Sequence, residues 1–542
     1  MRPWPRSAGV AALAALVLAA AARAQSPFTL PPVPPDPAAA EEPVFDIRRI
    51  EITGSHIVDP QDLQQIAAPY AGRRVGAAEL ENLRQRLTRH LVERGFVNSG
   101  IVLSEPAPAE GVLRLQVVAG RVASVRIAGL DGLREGYVRG RLWPEAEETL
   151  NLEVLRERFQ LLLEDPLIAR GDARIVPGER RGEAILDLQL QRARPYQLTL
   201  FANNYRPPSI GATNYGLAGV VRNLTGWGDA LEASWAQSGS GSDSGRGGMS
   251  WRVPVNARGT QLFVQLDHGR SSVIEEPLQQ FDIRSRIDSR ELGITQTLFE
   301  RYDRKFGLGL SHLRRANSTT LAGEPFSFTP AEPDGTTRTR SWRFWQEYSQ
   351  RSTVQAWVAR STFAFTRTNL QPIEGLPDAA MLPARRYGLW LGQAQYGRRI
   401  SEGGTQFVAR ASAQVARDRL PALDQMAVGG VYSVRGYREN QLLRDTGLVF
   451  NLELDIPLRP EGRGPWRLSV VPFYDHGRAS NRGEPADRLS SAGVATRLRY
   501  KGFSVDLAVA RRIAHPAHVT DGGGNLQDKG VHFRIAYDLF GD

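Results

Sequence analysis

The sequence predicts a membrane β-barrel of about 16 antiparallel strands, preceded by two small α/β modules. Three observations support this fold class. The chain begins with an apolar leader typical of exported proteins, a helix-containing pattern repeats within residues 44–192, and short alternating segments fill residues 196–542. The 542 residues are also too many for one compact core, because typical domains hold roughly 100–200 residues.

Composition excludes several classes of protein. The mean hydropathy of -0.33 excludes a bundle of membrane helices, and 41% hydrophobic residues argue against a chain that is disordered throughout. The chain has no cysteine, which excludes thiol nucleophiles, thiolate metal ligands and disulfides. The net charge of +10 comes from dispersed arginines, so no nucleic-acid partner is expected. A compositional bias of the genome, or a basic cavity for acidic or polar cargo, would each explain the charge.

Residues 1–24 are predicted to be a signal peptide. Two arginines precede a small and apolar run from Ala8 to Ala22, and Ala22-Arg23-Ala24 has the A-x-A form of a cleavage site. The run is shorter than the roughly 20 residues that a helix needs to cross a bilayer, so the mature protein is expected to be exported without a transmembrane helix. The proline-rich residues 25–43 are expected to form an extended linker.

An imperfect repeat predicts two copies of an α/β module, at residues 44–120 and 121–192. Each copy begins with an alternating strand that ends in glycine, Ile50–Gly54 and Val125–Gly129, and closes with a further strand. Between them lie helical stripes with the same i, i+3, i+7, i+11 spacing: Leu80, Leu83, Leu87 and Leu91, then Leu152, Leu155, Phe159 and Leu163. The edge of each sheet would either accept a strand from a partner or simply be protected.

From Tyr196 onward the pattern changes to segments of about ten alternating residues separated by Gly, Asn, Asp and Pro. Apolar and polar residues alternate strictly over residues 448–456, for example, which predicts one face for lipid and one for a lumen. Longer polar inserts are predicted to be outer loops: 239–248, 321–339 and 369–383. A soluble propeller or sandwich would also have many short strands, but the export leader and the lack of a blade-like repeat favour the membrane barrel.

The sequence contains no recognisable catalytic motif. A G-x-S-x-G elbow, a phosphate-binding loop and an H-E-x-x-H motif are all absent. Only His515 and His518 among the eight histidines are closely spaced, and the proline between them favours ordinary surface residues. We therefore expect no enzyme, no metal and no cofactor.

Two short motifs are the candidate functional residues. The first is Val434, Arg435, Gly436 and Tyr437 in a glycine-rich loop; the second is Phe473, Asp475 and Gly477 on a later strand. Strand parity places Asp475 on the lumen side. If the loop folds inward, the arginine and the aspartate can pair through two parallel hydrogen bonds, which lysine cannot reproduce. By pattern alone, such residues are also typical of ordinary surface turns.

The leader, the duplicated modules, the strand array and the two motifs together resemble the outer-membrane transporters of two-partner secretion, the haemolysin and filamentous-haemagglutinin secretion type. The resemblance extends from Val44 to the last strand. It implies two POTRA-like domains in the periplasm and a barrel in the bacterial outer membrane. In this family the V-R-G-[YF] motif lies on a loop that reaches into the barrel, where its arginine pairs with the aspartate of F-x-D-x-G. These roles fall on Arg435 and Asp475.

The function implied by the resemblance is recognition of an exported, unfolded exoprotein by the POTRA-like domains and its translocation through the barrel to the cell surface. Outer-membrane lipids, and the barrel-assembly machinery during biogenesis, are the other implied partners. A barrel-assembly relative that inserts outer-membrane proteins and a passive porin remain as alternatives. Two features depart from the family pattern: only the segment Pro27–Pro43 stands where relatives often have a plug helix, and Gly541 and Asp542 follow the last strand.

Overall fold

The computed structural model describes residues 43–105, 110–143, 149–239, 241, 243–329, 331–332, 334–371, 382–459, 464–514, 516 and 524–541. The chain divides into two compact units, one ending at Arg194 and one beginning at Pro195. The predicted signal peptide, all of the linker except Pro43, and both His515 and His518 lie outside the described residues. None of the helices in these ranges is long and apolar enough to cross a membrane.

The first unit begins with a module that has a β-α-α-β-β core and an additional two-stranded ribbon. Its elements are β1 (Val44–Ile47), β2 (Arg49–Gly54), α1 (Pro60–Ala67), β3 (Arg73–Gly76), α2 (Ala77–Glu93), β4 (Gly100–Leu103) and β5 (Val112–Val118). Strand β5 is the centre of the sheet, parallel to β2 and antiparallel to β4, and β1 pairs with β3 in a separate ribbon. The predicted leucine stripe of α2 is buried in the core, as the helical spacing requires.

A second module repeats this topology. Its elements are β6 (Arg121–Ala128), α3 (Glu135–Leu142), α4 (Leu152–Leu163), β7 (Ile168–Pro177) and β8 (Glu183–Arg192), in the sheet order β6-β8-β7. Asn151 caps the N-terminus of α4: its side chain accepts the Glu153 N–H at 2.9 Å and so satisfies a free donor of the first turn. The predicted stripe of α4 needs one correction. Leu162 is buried in the core, whereas Leu163, the last residue of the helix, packs against the core from its edge.

The second unit is a closed antiparallel barrel of 16 long strands, each paired with the next and the last paired with the first. The strands are β9 (Tyr196–Asn203), β10 (Asn214–Arg222), β11 (Ala230–Ser238), β12 (Gly245–Pro254), β13 (Thr260–Ser272), β14 (Arg284–Glu300), β15 (Arg304–Leu321), β17 (Thr336–Arg351), β18 (Gln355–Thr368), β19 (Arg386–Arg399), β20 (Gln406–Ala416), β23 (Thr446–Pro457), β24 (Trp466–Ser480), β25 (Asp487–Tyr500), β26 (Phe503–Ala514) and β27 (Val531–Asp538). Three short strands lie in connections: β16 (Glu324–Pro325), β21 (Met426–Val428) and β22 (Leu442–Arg444).

Alternation along the barrel strands separates two environments. On β23, Leu448 and Phe450 are 50% and 37% exposed on the outer face, whereas Val449 and Glu453 are buried on the inner face. Closure is necessary for such a barrel, because each unpaired backbone group at an open edge would cost several kcal/mol in lipid. The predicted fold class, a barrel of about 16 strands after α/β modules, is confirmed.

The predicted outer loops are longer than the observed ones. Strand β12 already begins at Gly245 and β17 at Thr336, inside the inserts predicted at 239–248 and 321–339. At their outer tips these strands have polar residues on both faces, although their backbones remain paired. The alternation of apolar and polar residues therefore stops before the strand itself ends, and the prediction assigned the strand tips to the loops. The alternation of residues predicts a last strand from Val531 to Phe540, but the observed strand ends at Asp538. Leu539 and Phe540 separate it from Gly541, and Asp542 lies outside the described residues.

Candidate functional site: a loop held inside the barrel

The connection between β20 and β23, residues 417–445, forms what we call the inward loop. Strands β21 and β22 pair within it, and its tip lies between them. The tip turns at Gly429, Gly430 and Gly436, whose φ angles are +109°, +102° and +88°. Residues with a side chain rarely adopt such angles, so these positions require glycine.

Arg435 and Asp475 are brought together on the inner wall. The Nε and Nη2 atoms of Arg435 donate to the two carboxylate oxygens of Asp475, each at 2.7 Å, and the Arg435 backbone N–H donates to the same carboxylate at 3.0 Å. The aspartate side chain is 0% exposed. This is the bidentate geometry that the two motifs predict, in a site that water does not reach. The guanidinium also lies over the Phe473 ring, 3.5 Å from its centroid.

Glu453 is a functional candidate that sequence reasoning missed. Its carboxylate accepts Arg435 Nη1 at 2.8 Å and also binds Arg410 at 2.9 Å and Arg497 at 2.8 Å. Arg497 continues to Asp455 at 2.7 Å. Three arginines therefore face three carboxylates, counting Asp475, and the charges in this cluster balance. Strand parity had placed Glu453 in the lumen, but it belongs to neither motif.

The apolar side of the tip packs as closely as the charged side. Val434 and Tyr437 are both 0% exposed and belong to one hydrophobic cluster with Val428. The Tyr437 hydroxyl donates to the Ser490 carbonyl at 2.9 Å, so this buried polar atom has an acceptor. On the wall, Gly477 leaves the space that the cluster fills, because a Cβ there would lie 2.5 Å from Val428 Cγ1.

The inward loop is also tied to other connections of the barrel. Arg438 donates to Asp528 in the connection before β27 and pairs with Glu275, in the connection before β14, at 2.8 Å. Burial would raise the pKa of Asp528, but the hydrogen bonds and charge of Arg438 outweigh it and lower that pKa. Nearer the base of the loop, Asp424 binds Arg315 and Tyr387 of the barrel wall. These ties join residues far apart in sequence, and no local motif marks them.

A closed barrel with an apolar outer face, a charged lumen and a loop fastened inside that lumen defines an outer-membrane barrel protein. The family model for "Haemolysin secretion/activation protein ShlB/FhaC/HecB" matches residues 182–500, and the model for "POTRA domain, ShlB-type" matches residues 45–120. The chain belongs to the ShlB/FhaC/HecB family of haemolysin secretion/activation proteins. Its place is the bacterial outer membrane, with POTRA domains in the periplasm.

Individual relatives agree with this assignment. The outer membrane transporter CdiB of Escherichia coli is 23% identical over 487 residues, which cover 84% of this chain and 74% of CdiB. The solved structure of CdiB from Escherichia coli matches with a TM-score of 0.74 at 20% identity and covers 99% of both chains. BamA from Haemophilus ducreyi, lacking POTRA domains 1–3, matches with a TM-score of 0.50 at 13% identity, covering 91% of this chain and 100% of that one. These structural likenesses show the fold.

The family assignment also decides among the predicted functions. Transport of an exoprotein by two-partner secretion is supported by the family and by its transporter relatives, whereas the barrel-assembly and porin alternatives are not favoured. The matched relatives are transporters rather than enzymes. Among the described residues, no cluster of histidine and carboxylate side chains has the arrangement of a metal site.

Proposed function

We propose that the two α/β modules capture an unfolded exoprotein exported to the periplasm, and that the barrel passes it to the surface once the inward loop is displaced. The proposed division of the chain is a signal peptide at 1–24, a linker at 25–43, modules at 44–120 and 121–192, and the barrel at 196–542. Outer-membrane lipids surround the barrel, and the barrel-assembly machinery inserts it. No nucleic acid, cofactor or catalysis is part of the proposal.

The observation that carries the proposal is the Arg435–Asp475 pair, which we call the latch. Removing one partner of a buried ion pair typically costs about 3–5 kcal/mol, because the other charge remains buried without compensation. Displacing the loop would strip Asp475 of its only arginine contact among the described residues, while Glu453 would keep Arg410 and Arg497. The latch would therefore hold the loop firmly at rest, and the entering exoprotein would have to supply the energy of release.

Strand addition is the proposed mode of capture by the modules. Strands β2 and β4 are the two edges of the first sheet, and β6 and β7 are the edges of the second. An extended segment of an unfolded exoprotein can pair with such an edge through its backbone, with little demand on its side chains. Deleting Val44–Gly120 should then abolish export of the exoprotein encoded beside this transporter, while the barrel still inserts in the outer membrane. Undiminished export would leave the first module as a spacer.

Loop displacement can be tested directly, because the chain has no cysteine of its own. A cysteine at Val434, which is 0% exposed, should be protected from a membrane-impermeant maleimide on intact cells and become reactive when the exoprotein is co-expressed. A cysteine at Tyr432, 55% exposed on the same loop, is the control and should react in both conditions. If Val434→Cys stays protected during active secretion, the loop does not leave its seat and the proposal fails.

A further inference from the structure

One residue of the last barrel strand contacts the tip of the inward loop. His532 of β27 is 1% exposed, and its Nε2 accepts the Gly436 backbone N–H at 3.0 Å. A ring nitrogen that accepts a hydrogen bond carries no proton, so the imidazole is neutral and its proton is on Nδ1. That Nδ1 is buried and has no hydrogen-bond partner among the described residues. The contact with Gly436 is therefore the one polar contact recorded for this ring in the described part of the chain.

The surroundings of the ring disfavour a positive charge. Arg435 on the loop and Arg512 on β26 are the charged groups that act on His532 among the described residues, and both are cations. At this end of β27 the neighbours on the β9 side are Asn203, which is paired with Arg534, and Asn204, which accepts the Phe533 N–H; both are uncharged. The two carboxylates that bind Arg435, those of Asp475 and Glu453, make no hydrogen bond to the ring.

The same turn of the loop is held from a second strand. Arg512 Nε donates to the Gly436 carbonyl at 2.6 Å, so β26 holds one end of this residue while β27 holds the other. A Cβ at Gly436 would lie 2.8 Å from the Ala510 Cβ, which shows how closely the turn approaches the wall. The latch attaches the loop to β24, and these contacts attach it independently to the two last strands.

We propose that His532 is a positioning residue for the inward loop: the neutral imidazole keeps the tip seated by accepting the Gly436 N–H, and protonation of the ring unseats it. A protonated imidazole has N–H groups at both nitrogens and can accept no hydrogen bond. Nε2–H would then face the N–H of Gly436, and the new charge would face two arginines. The inference rests on the proposed role of the loop as a movable obstruction.

The direction of the pH effect follows from linkage. When the loop is unseated, the His532 ring is free to take the ordinary imidazole pKa of about 6.5. When the loop is seated, Nε2 accepts the Gly436 N–H and cannot take up a proton. The seated state is therefore favoured when the pH is above that pKa, and its population falls when the pH is below it. The unseated population should rise roughly tenfold between pH 7.5 and pH 5.5, because about ten rings are protonated for each neutral one when the pH is one unit below the pKa.

The test measures loop opening without any exoprotein. Val434→Cys is introduced into the full chain in lipid vesicles, and its maleimide labelling rate is measured at pH 7.5 and pH 5.5. Each rate is divided by that of the same protein carrying His532→Gln, measured at the same pH, so that the pH dependence of the thiol cancels. Glutamine offers an amide oxygen in place of Nε2 and does not titrate. We expect a ratio near one at pH 7.5 and about ten at pH 5.5.

Two further variants separate positioning from a general structural effect. His532→Leu, which has no acceptor, should label about fivefold faster than the parent at pH 7.5, the effect of one ordinary hydrogen bond. His312→Gln alters a histidine that packs on Trp342, away from the loop, and should keep the full pH response of the parent.

A ratio that stays near one at pH 5.5 overturns the proposal, whether or not His532→Leu folds. A His532→Gln protein that labels like the leucine variant at pH 7.5 also overturns it, because the acceptor would then be irrelevant. Since no exoprotein is present, failure here is distinguishable from failure of secretion.

Discussion

Asp475 accepts three hydrogen bonds from the single residue Arg435, two from the guanidinium at 2.7 Å and one from the backbone N–H at 3.0 Å. The backbone bond means that the carboxylate fixes the main chain of the loop as well as the arginine side chain. The two partners are therefore not equivalent. A change at Arg435 leaves the backbone bond in place, whereas a change at Asp475 removes all three contacts.

Substitutions at the latch should impair secretion in a definite order, because each disturbs the seat to which the displaced loop must return after transport. We expect Asp475→Ala to be the most damaging and Arg435→Ala to follow. Arg435→Lys should also fail substantially, because an ammonium cannot form the two parallel bonds. The double alanine variant should be far less than additively worse than either single one, since both remove the same interaction.

The measurement for the latch is secreted exoprotein, normalised to the amount of heat-modifiable barrel in the outer membrane. The competing idea is that Arg435 points outward and contacts only the environment. Rapid labelling of a cysteine at position 435 on intact cells, together with normal secretion by Asp475→Ala, would establish that idea and exclude the latch.

Glu453 should matter as much as the residues of the two motifs. Glu453→Gln leaves three arginines with one carboxylate fewer, and the cost of such uncompensated buried charge is on the order of 3–5 kcal/mol. We expect faster labelling of a cysteine at Val434 in this variant. Glu347→Gln is the matched control, because Glu347 is 41% exposed and lies 3.6 Å from its arginine. Equal labelling of the two variants would show that the cluster does not hold the loop.

The barrel could be predicted from the sequence because lipid on one face and the lumen on the other impose a period of two on every strand. The lumen-facing position of Asp475 could be predicted for the same reason, since the parity of a residue assigns its side chain to the lumen or to the lipid. Parity does not tell which residues meet across the lumen, however. Glu453 and His532 are both inner-face residues by this rule, yet nothing local shows that Arg435 and Gly436 reach them. Their contacts arise from the closure of the barrel and the entry of the loop.

The outer ties of the loop should be insensitive to pH in the range where His532 responds. Because the pKa of Asp528 is lowered, its ion pair with Arg438 is present above the ordinary aspartate pKa of about 3.9 and is lost only as the pH falls through the lower value. Asp528→Asn should therefore raise labelling at position 434 equally at pH 7.5 and pH 5.5. A rise confined to pH 7.5 would mean that Asp528 is already protonated at pH 5.5 and that it, rather than His532, carries the pH response.

Gly477 tests whether the loop needs its apolar seat as well as its latch. In Gly477→Ala the new Cβ would lie 2.5 Å from Val428 Cγ1 and 2.9 Å from Val434 Cγ2, so the cluster must shift. Overpacking of this kind typically costs about 1–3 kcal/mol. We expect reduced secretion with the latch residues unchanged. Gly397→Ala is the control, because a Cβ at Gly397 meets nothing within 4 Å.

A compensating change gives the sharper version of this test. Val428→Ala removes the nearest clashing atom, so it should restore part of the secretion lost in Gly477→Ala although it opens a small cavity when present alone. Such non-additivity is expected between residues that are in contact or that share a cavity. If the two changes simply add, Val428 and Gly477 are not in contact in the working protein. The contact between Val428 and Gly477 would then not contribute to holding the loop.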